Sequence, residues 1–162
     1  MIAANTATSM IQAVASRQSL RHAAIAAILG LAGAAHAQIS YHPIGDFAVS
    51  DQSADGTWLA GKLGNNIARW SADTGFETLY VDANFNGSVG ISDDGSRVTG
   101  TIYDSEGTAV PGVWTEGVGW VTTGPITGGG VPGEDGSAYA ISGDGSTITG
   151  LAWRSDWRAR AF

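Results

Sequence analysis

The sequence predicts an all-β protein: tandem four-stranded antiparallel repeats behind a signal peptide, forming a partial β-propeller-like array of about two and a half blades. Three observations predict it. First, an Asp-Gly pair between apolar runs recurs at Asp55-Gly56, Asp94-Gly95 and Asp144-Gly145. Asp-Gly in this setting is a strong hairpin signal, because Gly takes the positive φ that a tight turn demands. Second, the glycine closing each copy, at 61, 100 and 150, recurs at spacings of 39 and 50 residues. That period, with several short strands in each unit, is the period of propeller blades. Third, nothing beyond the first 37 residues shows the 3.6-residue apolar period of a helix.

Residues 1–37 read as a secretory signal peptide. Arg17 and Arg21 precede the apolar run Ala23 to Ala35, and Ala35-His36-Ala37 is a small-x-small cleavage site before Gln38. Met10 is an alternative start. The run of 13 residues is shorter than the roughly 20 that cross a bilayer. No transmembrane segment is therefore expected after cleavage. The expected location is exported: periplasm, cell surface or extracellular medium.

The remainder, residues 38–162, carries 6 Lys or Arg against 15 Asp or Glu, a net charge of −9. An acidic chain with one lysine is a poor binder of nucleic acid, since phosphate neutralisation is the main source of that affinity, so no nucleic-acid partner is expected. It has no cysteine, which leaves packing or a metal, not disulfides, to stabilise an exported fold.

Three units follow, at about 44–80, 88–122 and 138–162. In each, a strand leads to the Asp-Gly turn and a second strand passes through the recurrent glycine. That glycine sits where a side chain would normally help the sheet, so close backbone approach between units is expected there. In the first two units a third strand ends at Trp70 or Trp114, and a fourth run follows. The third unit reaches Phe162 before any counterpart of those tryptophans and fourth runs. The expectation is an array completed by further repeats or by self-association. On that reading the faces around Val98, Ile102, Ile148 and Ala152 are partly open.

The third unit resembles the bacterial extracellular repeats named for a His-Ala-Phe tripeptide. The resembling residues are Ala-Tyr-Ala-Ile-Ser-Gly-Asp-Gly-Ser-Thr-Ile-Thr-Gly at 138–150 and Arg-Ala-Phe at 160–162, with Gly128-Gly129-Gly130 as the glycine-rich link. Arg160 stands in place of the His, and the earlier units retain the pattern loosely. The resemblance implies a secreted or cell-surface, propeller-like protein of a kind sometimes found in autotransporter passengers. It supplies no catalytic residues.

The chemistry-bearing residues are few. One histidine, His42, remains after the leader, beside Pro43 near the mature N-terminus; this all but rules out a His-based triad or zinc site, and an exposed residue on an arm is the expected reading. Asp93-Asp94 and Glu134-Asp135 are adjacent carboxylates, but neighbours on a strand point to opposite faces and do not make the facing pair a glycosidase needs. Asp55, Asp94 and Asp144 have a sufficient structural task, accepting backbone N–H bonds within their turns. The string Asp82-Ala83-Asn84-Phe85-Asn86-Gly87, with Asp93 at its twelfth position, matches the opening of a calcium loop. Asp82, Asn84, Asn86 and Asp93 are thus the candidate calcium ligands. Against calcium, Asp93 replaces the bidentate Glu and strands, not helices, flank the string; a polar connector is the competing reading.

Hairpin tips repeat along one side of the array, and the last carries Arg154, Trp157 and Arg158. An aromatic between two arginines makes a candidate partner-binding cluster for a protein or glycan. The reading is an exported, non-enzymatic β-repeat module for binding or surface display. The alternative is the N-terminal fragment of a carbohydrate-active propeller enzyme whose catalytic residues lie beyond Phe162.

Overall fold

A computed structural model describes residues 43–83, 87–124 and 129–162. They form three antiparallel sheets, all within the unit Ile44–Phe162. The first sheet runs β1 (Phe47–Gln52), β2 (Trp58–Leu63), β3 (Asn66–Ser71), β4 (Gly75–Tyr80), each strand paired with the next. The second repeats that order with β5 (Gly90–Ile91), β6 (Arg97–Tyr103), β7 (Ala109–Thr115) and β8 (Gly119–Thr122). The third has β9 (Gly136–Ile141), β10 (Ile148–Trp153) and β11 (Ala159–Ala161), with β10 in the middle. Among the described residues there is no helix.

The connection from the first strand to the second is the same in every sheet. Ser53, Ser92 and Ser142 open it: each carbonyl accepts the N–H of the turn glycine, at 2.9, 2.9 and 2.8 Å. Those glycines, 56, 95 and 145, hold φ of 72°, 72° and 69°, a region that side chains other than Gly enter only at a cost. The Asp-Gly pair thus ends a four-residue turn inside a six-residue loop and is not the centre of a two-residue hairpin turn. The serine hydroxyl, pointing inward, accepts the N–H of Trp58, Arg97 or Thr147 at 2.9 to 3.0 Å.

The sheets pack in sequence, β1 against β5 and β5 against β9, with β9 also lying over β6 and β7. The middle sheet is therefore covered on both sides. Every residue of β6 between Arg97 and Tyr103 is buried. Ile67 of β3 fills the space left by Gly100, while Gly90 of β5 lies close against the backbone of Ala140 and Ile141 on β9. Ile67, Val89, Ile91, Val98, Ile102, Val110 and Trp114 form the core between the first two sheets, flanked by Trp58, Leu79, Tyr80 and Trp120. Each buried aliphatic here contributes roughly 1.5–3 kcal/mol.

Two expectations are corrected. Val98 and Ile102 are 0% and 4% exposed, because the middle sheet lies between two others, and Ala152 is 6% exposed, whereas Ile148 is half-buried. The open surface is instead the outward face of β9–β10, where Ala140, Thr147 and Thr149 are exposed. The recurrent glycines also differ among themselves. A Cβ at Gly61 or Gly150 would strike the carbonyl of Ala48 or Ser137 within the same sheet. The cause is a bulge: pairing slips between Val49 and Asp51 on β1, and between Ala138 and Ala140 opposite Thr149 and Gly150. A bulge twists the strand and brings one backbone onto its partner. Only Gly100 meets a neighbouring sheet, at the Ile67 side chain.

Candidate functional site

The carboxylates are largely consumed by the architecture. Asp55 accepts the Thr57 hydroxyl at 2.6 Å, the Thr57 N–H at 2.9 Å and the Ser53 hydroxyl at 2.7 Å. Asp94 and Asp144 do the same with Ser92 and Ser96, and with Ser142 and Ser146. Hydrogen bonds to the ionised form hold all three carboxyls down, at about 2. The leading cause is the Thr57 hydroxyl for Asp55, the Ser92 hydroxyl for Asp94 and the Ser142 hydroxyl for Asp144. A carboxyl so held is a poor proton donor near neutral pH.

Other acids join the sheets. Asp51 Oδ2 accepts the Ile91 N–H at 3.0 Å, and Asp93 Oδ1 accepts the Ala54 N–H at 3.2 Å. The backbone of Asp93 in turn donates to the carbonyl of Gly143 at 2.8 Å. Adjacent Asp93 and Asp94 thus serve different contacts, one between sheets and one within its own turn. Glu134 accepts the Ser137 hydroxyl at 2.8 Å, and the Asp135 N–H donates to Ala109 on β7.

Of the candidate calcium ligands, Asn84 and Asn86 lie outside the described residues. Asp82 is exposed, with φ of 60° and its N–H donated to Asn66 Oδ1 at 3.1 Å. Asp93 is engaged with Ala54 as described. Among the described residues, no three His, Cys, Asp or Glu side chains are grouped to hold a metal ion. His42 also lies outside the described residues.

Arg69 is the residue sequence reasoning missed. It is 3% exposed on β3, and its guanidinium carbon stands 4.5 Å from the ring centroids of both Trp58 and Trp114. Its Nε pairs with Glu77 at 2.7 Å, one terminal nitrogen donates to the Gly95 carbonyl at 2.7 Å, and the other reaches Glu116 at 3.1 Å. The planar fork meets three hydrogen-bond partners at its edges while its face is offered to two rings, which an ammonium could not do. The available signal was one arginine inside an otherwise apolar third strand, Ile67-Ala68-Arg69-Trp70.

The tryptophans divide by role. Trp58 and Trp114 clasp Arg69, and Trp120 donates to the Leu79 carbonyl at 2.7 Å. Trp157 does none of this. It is 68% exposed, at the tip of the β10–β11 hairpin. The tip is built as the β6–β7 tip is built. There, Asp104 N–H donates to Thr108 and Gly107 N–H donates back to Asp104. Here, Arg154 N–H donates to Arg158 and Trp157 N–H donates back to Arg154, both at 2.9 Å. Trp157 thus occupies the position of Gly107, and its φ is 62° where Gly107 has 79°. A bulky residue held there costs about 1–2 kcal/mol.

Arg154 and Arg158 close that hairpin as partners across it, and like charges facing each other destabilise a strand pair. Asp156 offsets this only in part, at 3.6 Å from Arg154 Nε. The structure therefore brings together Arg154, Trp157 and Arg158 on one exposed turn.

No family profile and no curated protein sequence matches the chain. Among solved structures, the crystal structure of TolB from Acinetobacter baumannii is similar over 71% of this chain, with 18% identity and a TM-score of 0.51. The sheets are propeller blades. TolB is a β-propeller-containing protein, and the likeness at this identity is one of fold. The matched region spans 29% of the TolB chain.

Proposed function

We propose that this chain is an exported, non-enzymatic β-repeat module that binds a partner through the β10–β11 tip. The observation that carries the reading is Trp157: a large aromatic, 68% exposed, in a backbone conformation that its counterpart tip assigns to glycine. A residue that costs stability and covers no core points to a contact outside the fold. The carboxylates favour binding over catalysis, since Asp55, Asp94 and Asp144 are tied into turns and Asp51 and Asp93 into the seams between sheets. Export rests on the leader, with Arg17, Arg21, the apolar run and Ala35-His36-Ala37. The likeness of residues 138–150 and 160–162 to His-Ala-Phe repeats supports surface display.

The test is a comparison of the protein and its W157G variant on glycan and peptide arrays. At least one ligand class bound by the protein and lost by the variant supports the reading. Identical profiles for the two proteins reject the tip as the binding surface.

A further inference from the structure

We propose that the β10–β11 tip binds an acidic polysaccharide, one sugar ring stacked on Trp157 and its carboxylate or sulfate held by Arg154 and Arg158. This rests on the reading of the tip as a binding surface and adds the chemistry of the ligand.

The charge distribution points to an anion. Residues 38–152 carry three cations against fourteen carboxylates, and those three cations face inward or toward neighbours. Lys62 donates to the Ala83 carbonyl, Arg69 lies between two tryptophans, and Arg97 donates to the Gly145 carbonyl. Residues 153–162 reverse the sign, with Arg154, Arg158 and Arg160 against Asp156 alone. Arg160 lies on β11, and Arg158, exposed like it, immediately precedes that strand two positions earlier, the spacing that sets side chains on one side of an extended chain. Arg154 lies across the hairpin from Arg158. The result is a short cationic row on an otherwise acidic protein. An anion between Arg154 and Arg158 removes the repulsion that the bare hairpin carries.

The indole narrows the class. A π face attracts the slightly positive C–H face of a pyranose ring. In a uronic acid the carboxylate is attached directly to that ring, so stacking on Trp157 brings it within reach of the adjacent Arg158. A row of arginines running away from the stacking residue suits a polymer with an anion on successive rings. An acidic peptide would engage the arginines alone and presents no pyranose ring to the face of Trp157.

The experiment titrates the full exported chain with polygalacturonate, dextran sulfate, poly-L-glutamate and neutral dextran by calorimetry. The same titrations are run on W157G and on the double variant R154Q/R158Q. Gly adopts a φ of 62° without strain, so W157G keeps the fold, and its melting curve checks this. We expect polygalacturonate or dextran sulfate to bind, with the carboxylate and sulfate arms separating the two anion sources. We expect W157G to lose about tenfold or more in affinity, and R154Q/R158Q to flatten the salt dependence of binding. Neutral dextran should not bind. Affinity for the acidic polysaccharides unchanged in a folded W157G overturns the proposal. Poly-L-glutamate binding alone, lost in W157G, overturns the saccharide while leaving the tip as a binding surface. Silence from every polymer overturns the proposal too, and the arrays then decide whether the tip binds a ligand of another class.

Discussion

The guanidinium of Arg69, on β3, stands 4.5 Å from the ring of Trp114, on β7. These residues belong to different blades, and the contact fastens the first blade to the second. At an equal distance from the same guanidinium lies the ring of Trp58, of Arg69's own blade. A buried cation between two aromatic faces, with carboxylates at its edges, is desolvated without being left alone.

Substituting Arg69 should therefore destabilise strongly. R69A removes both stacking contacts, both ion pairs and the bond to Gly95. We expect a loss of about 3 kcal/mol, at the low end for breaking a buried pair, since Glu77 and Glu116 remain about half exposed. R69K should recover part of the charge term but neither the stack nor the fork. Urea unfolding of the three proteins checks the order.

The turn glycines give a second prediction with an internal control. Gly56 and Gly95 share φ of 72°, yet a Cβ at Gly56 meets nothing within 4 Å, whereas one at Gly95 meets Trp58 Cδ1 at 2.3 Å. G56A should cost about 1–2 kcal/mol for backbone strain alone. G95A should cost about 1–3 kcal/mol more, because a packed ring must move. G145A meets the flexible Cδ of Arg97 at 2.6 Å and should fall between them. Equal costs for all three would mean that the blades do not pack on these turns.

A third prediction concerns acid. Asp55, Asp94 and Asp144 have carboxyls at about 2 in the folded protein, against an ordinary 3.8. Below 3.8 the unfolded chain takes up protons that the folded turns refuse, so falling pH favours unfolding. Their contribution is complete above 3.8 and disappears as pH falls toward 2. Thermal unfolding should show a melting temperature that declines across this window. D94N, which cannot take up that proton, should show a shallower decline.

What could be read in advance was what local chemistry dictates. Ser-x-Asp-Gly writes its own turn, because the bonds of its serine hydroxyl and aspartate carboxylate lie within six residues, and the propeller-like array follows from its repetition. Arg69 was illegible because its partners Gly95, Trp114 and Glu116 lie 26 to 47 residues away. The bulges opposite Gly61 and Gly150 were equally hidden, since a slip in register leaves no mark in composition. Trp157 falls between these cases. Its cluster with Arg154 and Arg158 was visible, but its strained backbone was not. Aligning Asp104-Ser105-Glu106-Gly107 with Arg154-Ser155-Asp156-Trp157 would have set the tryptophan against a glycine and exposed the anomaly.

The account turns on whether Trp157 serves the fold or something outside it, and the stability of W157G measures that directly. Relief of about 1–2 kcal/mol of backbone strain is partly offset by the roughly 0.5–1 kcal/mol of added unfolded-state freedom that glycine brings. Equilibrium urea unfolding should therefore find W157G more stable than the natural protein by about 0.5–1 kcal/mol. A variant less stable by about 1 kcal/mol or more would show that the indole packs against the blade, and would contradict the binding surface.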